Sequence, residues 1–201
     1  MKSLIDLADR AWLPDALIRL GIRRLNRMRL VEEAKRHTSS RGQAVAEFVK
    51  TMAHSPVALA TDNANDQHYE LPAAFFERVL GRHLKYSSGF WNPGVTSLDQ
   101  SEADMLAVTA ERAGLADGMD ILELGCGWGS LTLWNAANYP NAQITAVSNS
   151  APQRRFIEQR CREGGFSNVE VITADMNHFS TDHRFDRILS VEMFEHMRNW
   201  E

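Results

Sequence analysis

Glu192-Met193-Phe194-Glu195-His196 places two carboxylates and an imidazole within five consecutive residues. A histidine with a near-neutral pKa accepts a proton, and carboxylates hold a cationic group and orient the base. If a helix starts at Glu192, then Glu195 follows by three residues and His196 by four, and all three share a face. Acids also suit the dipole at any helix start, so a solvated helix start is the competing reading. The second group is Ile121-Leu122-Glu123-Leu124-Gly125-Cys126-Gly127-Trp128-Gly129. An apolar run carrying Glu123 ends in glycines at alternate positions, and Leu131, Trp134 and Ala137 follow at helical spacing. This reads as a strand, a tight turn and a helix start. Glycine there lets the backbone turn sharply and a ligand approach closely, and the free N–H groups of the helix start favour polar or anionic ligand atoms.

Two ligand classes use such a turn. Dinucleotide sites favour G-x-G-x-x-G, with an acid about 20 residues on to hold a ribose. Here the spacing is G-x-G-x-G, and Thr145-Ala146-Val147-Ser148-Asn149 supplies no acid, which weakens a nicotinamide or flavin reading. The form E-x-G-x-G-x-G after a strand resembles motif I of S-adenosylmethionine-dependent methyltransferases. With no pyrophosphate to cradle, that loop wraps the methionine and ribose portions of the donor.

The surrounding pattern supplies elements to position both groups. Strands are expected over 121–124, 143–147, 169–174 and 185–191, with a helix over 153–162 between the second and third. Strands alternating with helices imply an α/β fold, a Rossmann-like doubly wound parallel sheet. Ligands in such sheets bind beyond the carboxyl ends of the strands. Gly125 to Gly129, Ser148 to Ser150, Asp175-Met176 and Glu192 to His196 all fall at those ends. Upstream, Ser97 and Gln100 form a capping-box pattern for a helix over 98–113, closed by Gly114. A short helix over 72–80 carries Phe75, Phe76, Val79 and Leu80 as core. The aromatic, hydroxyl and glycine mix of residues 84–91 suits a binding loop or an aromatic packed loop equally.

Residues 1–66 read as a helical N-terminal appendage and 67–201 as the α/β core, with the polar stretch 61–66 as the boundary. One helix spans 17–28, with Ile18, Ile22, Leu25 and Met28 on one face and five arginines around them. A solvated basic face is the simpler reading, and a peripheral membrane contact the alternative. A second helix runs over 43–54, limited by Pro56.

Bulk properties narrow the class. The 201 residues suffice for one sizeable core, and 44% hydrophobic with 24% charged residues is ordinary for a globular protein. A net charge of −4 argues against nucleic acid as partner. Cys126 and Cys161 lack metal-type spacing, so no metal site is expected and a reduced, cytoplasmic setting fits. No run reaches the ~20 apolar residues of a membrane span.

The chain resembles the cyclopropane-fatty-acid synthase-like methyltransferases, and within them the coclaurine N-methyltransferase-like branch. The resemblance runs from about Leu13 to the end. It rests on Tyr69-Glu70-Leu71-Pro72, Leu84-Lys85-Tyr86-Ser87, the Leu122 to Gly129 turn, Ser148-Asn149-Ser150, Ser167-Asn168-Val169-Glu170 and Glu192 to Met197. It implies S-adenosyl-L-methionine as co-substrate. By resemblance, Tyr86, Ser87, Gly125 and Gly127 serve the methionine end, and Glu123 joins them among the cofactor-binding residues. Ser148 and Gln153 hold the ribose hydroxyls in place of the missing acid, and Asp175 and Met176 flank the adenine. Glu192, Glu195 and His196 match the catalytic acids and histidine of the amine-methylating branch.

Two departures bear on the acceptor. Lipid cyclopropane synthases usually carry a small residue where Glu192 stands, and a glycine soon after the histidine, where this chain reads Met197-Arg198-Asn199. Both favour a small-molecule amine over an unsaturated lipid chain. The lipid alternative would involve bicarbonate near the Glu-His pair and the position of Ser88. The family sheet has seven strands and this sequence ends after the fourth, so a truncated enzyme is expected, one that binds donor with little or no turnover. A non-catalytic donor-binding or interaction module is the rival from another class.

Overall fold

The computed structural model describes residues 2–36, 41–59 and 71–200. Two compact units emerge, Met1–His54 and Ser55–Glu201. The first holds α1 (Lys2–Asp9), α2 (Asp15–Arg36) and α3 (Arg41–Ala53). α2 runs past the expected 17–28 at both ends. Arg19 pairs with Asp15 at 3.4 Å and Arg29 with Glu33 at 2.7 Å, four residues apart in each case, which extends a helix whose face is solvated. Ile22, Leu25 and Met28 are exposed, so the expected apolar stripe is not a buried face of this helix. α3 ends at Ala53, ahead of Pro56, which has no N–H to continue the ladder.

The division between units falls at His54/Ser55 because residues 55–59 bond to the second unit. Arg198 N–H donates to the Val57 carbonyl at 2.7 Å, and Ala58 forms an antiparallel bridge with Met197. The polar stretch 61–66, the expected boundary at 66/67 and Tyr69-Glu70 lie outside the described residues.

The second unit is built on a four-stranded parallel sheet in the order β3-β2-β1-β4. The strands are β1 (Asp120–Leu124), β2 (Gln143–Ser148), β3 (Val169–Thr173) and β4 (Arg187–Ser190). β1 is flanked on both sides: Leu122 lies opposite Thr145 of β2 and Ile188 of β4. Helices α4 (Ala73–Val79), α5 (Leu98–Ala113), α6 (Ser130–Asn138) and α7 (Ala151–Gly164) complete the unit. The period-two alternation of the strands sends Ile121, Ile144 and Leu189 to one face. There they pack with Leu106 of α5 and Leu131 of α6 in the main core, while Ile157 and Cys161 of α7 cover Ala146 and Val171. On the opposite face Ile188 is 62% exposed.

The helix ends follow local chemistry. Ser97 Oγ accepts the Gln100 N–H at 3.3 Å, but the Gln100 side chain donates to Asp104 instead of reaching back, so only half of the expected capping box forms. Ser150 caps α7, and Gly165 ends it in the left-handed conformation. One core expectation fails. On α4, Ala73, Phe76 and Leu80 form the packed stripe against Trp128, whereas Phe75 and Val79 are exposed. The stripe is one step around the helix from the expected one, because Trp128 and Phe156 approach from that side, with ring centroids 5.2 Å from Phe76 to Trp128 and 5.3 Å from Trp128 to Phe156.

Candidate active site

The glycine turn after β1 is shaped by what surrounds it. Gly125 and Cys126 both donate N–H to the Val147 carbonyl, at 2.9 and 3.0 Å, tying the turn to the end of β2. Gly125 sits so close to Met193 that a Cβ would lie 2.8 Å from its Sδ. Gly127 (φ 54) has nothing within 4 Å of its open side, so a ligand can approach its backbone. Two adjoining cavities flank this turn, of about 120 and about 170 Å³. Gly125, Gly127, Glu192 and His196 line both, and so form the seam between them.

The first cavity also receives Ser148, Gln153 and Met176. Ser148 Oγ donates to Gln153 Oε1 at 2.7 Å and accepts the Ser150 N–H at 3.0 Å. Gln153 Nε2 is buried with no partner among the described residues. A buried donor without an acceptor is costly, and a ligand hydroxyl would satisfy it. Asp175 does not line either cavity. It accepts the Asn177 N–H at 2.7 Å, fixing the turn after β3. Asn177 then holds Ala58 from both sides of its amide, and Ala58 and Leu59 close the first cavity.

The second cavity receives Tyr86, Ser87, Glu123 and Glu195. Glu123 is 5% exposed and accepts from Thr132 Oγ1 at 2.6 Å. Burial pushes its carboxyl up to about 7; the Thr132 hydrogen bond and Lys85 pull the other way without cancelling it. Cys126 is buried in the same wall and its thiol is pushed well above the ordinary range by burial, which leaves it unreactive.

The helix considered at Glu192 does not form. Only a 3₁₀ turn forms, over Phe194–His196, and Glu192 precedes it in the left-handed region (φ 52). That conformation is uncommon outside glycine, and strained backbone of this kind concentrates at functional sites. Glu192 and His196 meet at the seam, and Glu195 joins them in the second cavity alone.

Two residues that shape the site fall outside the expected set. Glu102 of α5 is fully buried, and its carboxylate accepts the N–H groups of Gly81 (2.9 Å) and His83 (3.0 Å). It therefore anchors the loop that delivers Tyr86 and Ser87. Lys85 in that loop is 7% exposed, donates from Nζ to Ser87 Oγ and lines the second cavity. A charged residue between apolar and aromatic neighbours was the available signal for Lys85. For Glu102 there was none, since it looks like any helix acid.

A parallel sheet with this glycine turn at the carboxyl end of its central strand has the class I methyltransferase fold. It superposes on the crystal structure of a coclaurine N-methyltransferase bound to N-methylheliamine and SAH with a TM-score of 0.81 and 34% identity, covering 98% of this chain and 57% of that one. The family model for mycolic acid cyclopropane synthetase matches residues 59–201, and the chain belongs to that family. The (S)-coclaurine N-methyltransferase of Thalictrum flavum subsp. glaucum is 41% identical over 163 residues, 79% of this chain and 45% of that protein. The cyclopropane-fatty-acyl-phospholipid synthase of Escherichia coli is 34% identical over 131 residues, 65% of this chain and 32% of that protein. The chain thus spans about half the length of the N-methyltransferases it matches. No helix among the described residues is long and apolar enough to cross a membrane.

Proposed function

We propose that this chain is the donor-binding half of an S-adenosylmethionine-dependent methyltransferase acting on an amine nitrogen of a small molecule. One observation carries the reading: Glu192 and His196 stand where the two cavities meet. The first cavity, with Ser148, Gln153 and Met176, suits a nucleoside. The second, with Tyr86, Ser87 and Glu123, suits an amino-acid end. The sulfonium is the chemical joint between those two parts of the donor, so its methyl would lie at the acid–base pair. The unpartnered Gln153 Nε2 and the open side of Gly127 fit a donor with ribose hydroxyls and a closely held backbone contact.

Bound there, the donor supplies an electrophilic methyl on a sulfonium. The chain's residues align and deprotonate. Glu192 and Glu195 hold the acceptor's nitrogen near the seam, and His196 takes the N–H proton so that the lone pair is free to attack. Transfer of the methyl from sulfur to that lone pair would leave the sulfur neutral and pass its positive charge to the methylated nitrogen, which Glu192 and Glu195 hold, while the proton taken from the acceptor stays on His196. Among the relatives, the N-methyltransferase names and the solved complex with N-methylheliamine support an amine acceptor.

The test is calorimetric titration of the chain with S-adenosylmethionine, followed by methyl tracing in a protein extended to the relatives' length. Saturable binding weakened by Gln153→Ala, with label then recovered in a small amine, supports the reading. Label recovered in a lipid extract would transfer the site to unsaturated acyl chains, with bicarbonate as the base to be tested. A folded chain that binds no donor, at either length, would overturn it.

A further inference from the structure

Lys85 is a buried ammonium that makes no ion pair among the described residues. It is 7% exposed, and its Nζ donates to Ser87 Oγ and to nothing else among the described residues. A lysine ammonium has three N–H donors, so two are uncommitted. Of the three carboxylates near it, Glu192 forms no ion pair with it among the described residues, and the other two, Glu102 and Glu123, are occupied elsewhere. Glu102 accepts the Gly81 and His83 N–H groups, and Glu123 accepts from Thr132. Neither forms an ion pair with Lys85, although both, with Glu192, lie near enough to favour its charged form against burial, which lowers its pKa. A buried charge left without a partner is expensive, so a site that keeps one is built to receive the opposite charge from a ligand.

The position of Lys85 identifies the ligand group. It lines the second cavity together with Tyr86, Ser87, Gly125 and Gly127. Glu123, Glu192 and Glu195 line the same cavity, so its wall offers one lysine and three acids, a place for an anionic group beside places for a cationic one. That arrangement complements a zwitterion. We infer that Lys85, with Ser87 beside it, binds the α-carboxylate of the methyl donor's methionine end, and that it is a donor-recognition residue of this chain. The inference rests on the donor reading of the two cavities. It adds a residue to the methionine end that the glycine turn and the Tyr86-Ser87 pair do not supply: the only lysine or arginine lining the cavity among the described residues.

Decarboxylated S-adenosylmethionine separates this from a structural role, because it keeps the sulfonium, the amine and the nucleoside and lacks only the carboxylate. The full chain and its Lys85→Met and Lys85→Arg variants are titrated calorimetrically with both compounds in bicarbonate-free buffer, so that the donor carboxylate is the anion tested. The wild-type chain is expected to bind the carboxylated donor roughly tenfold to a hundredfold more tightly, the range of a charge-assisted hydrogen-bonded pair. Lys85→Met is expected to remove that preference by weakening the carboxylated donor alone, with the decarboxylated compound changed by less than about twofold, and Lys85→Arg is expected to keep part of it. Equal loss for both compounds would overturn the assignment and leave Lys85 a packing residue. Should Lys85→Met not fold, the wild-type preference decides, and equal affinity of the wild-type chain for both compounds would overturn it. A folded wild-type chain that bound neither compound, at this length and when extended to the relatives' length, would instead remove the donor reading, and this inference with it.

Discussion

Asn177 holds Ala58 by both atoms of its amide: Ala58 N–H donates to Oδ1 at 2.9 Å, and Nδ2 donates to the Ala58 carbonyl at 3.1 Å. The two residues are 119 positions apart, and the contact lays residues 55–59 against the first cavity, where Ala58 and Leu59 form part of the wall. Arg198 and Asn199 secure the same segment through the Val57 carbonyl, so it survives loss of one clamp. Asn177→Ala removes two hydrogen bonds, each worth about 1 kcal/mol. It is expected to weaken S-adenosylmethionine binding by roughly tenfold while the melting temperature falls only modestly, because the sheet core is untouched. Calorimetry beside a thermal melt checks it, and unchanged affinity would detach the segment from donor binding.

Glu123 makes stability depend on pH in a direction opposite to that of a paired carboxylate. Its carboxyl titrates at about 7 in the folded chain against an ordinary 4.5. The folded state therefore holds the proton more tightly than the unfolded state. Stability associated with this group is complete below pH 4.5 and is lost as pH rises to about 7, a difference on the order of 3 kcal/mol. Glu123→Gln keeps an acceptor for Thr132 and removes the titration. Its advantage over wild type is expected to be small at pH 4.5 and to grow towards pH 8, read from urea denaturation at each pH. An advantage that shrinks with rising pH would contradict the cause assigned to the shift.

The glycines of the turn predict different losses from the same substitution. Gly127→Ala places a Cβ in open space and costs only the left-handed backbone, about 1–2 kcal/mol. Gly125→Ala bears the same strain (φ 78) and also drives Met193 away, since the new Cβ would lie 3.0 Å or less from three of its side-chain atoms. Gly125→Ala is therefore expected to be the more destabilising in chemical denaturation. It should also disturb the Glu192 to His196 segment that Met193 belongs to, visible as altered histidine resonances. Equal costs for the two variants would show that Met193 yields freely.

The sequence made the sheet legible and left the contacts around it dark, for a physical reason. Strands β1 to β4 and the turn were readable because period-two alternation and glycine spacing are local properties. Asn177 and Glu102 act on partners 119 and 21 residues away, and nothing local marks an asparagine or a helix glutamate for such work. On α4 the apolar residues allow two neighbouring stripes, and the position of Trp128, set by the glycine turn, selects the one through Phe76. Glu192 escaped for a different cause. Acids favour a helix start, so its left-handed backbone ran against local preference, and such disagreement is itself a mark of a functional position. The cavity-lining residues were legible as a set because strand ends converge in any parallel sheet; Asp175 shared the strand end but turned to its own backbone.

The seam position of His196 and Glu192 separates their roles from donor binding. If His196 accepts the amine proton, its loss acts on the chemical step, while Ser148, Gln153, Tyr86 and Ser87 still line the two cavities. In a protein extended to the relatives' length, His196→Ala is expected to lower kcat by roughly 10²-fold or more, with donor affinity changed by less than about twofold. Glu195 is proposed to hold the acceptor's nitrogen without taking its proton, so Glu195→Gln should raise KM for the amine more than it lowers kcat. Glu192 borders both cavities, and Glu192→Gln should affect both parameters. Counting labelled methyl groups transferred at saturating donor gives kcat and KM for each variant. Loss of donor affinity on His196→Ala, with kcat unchanged once donor saturates, would move His196 from the proton transfer to the donor cavity.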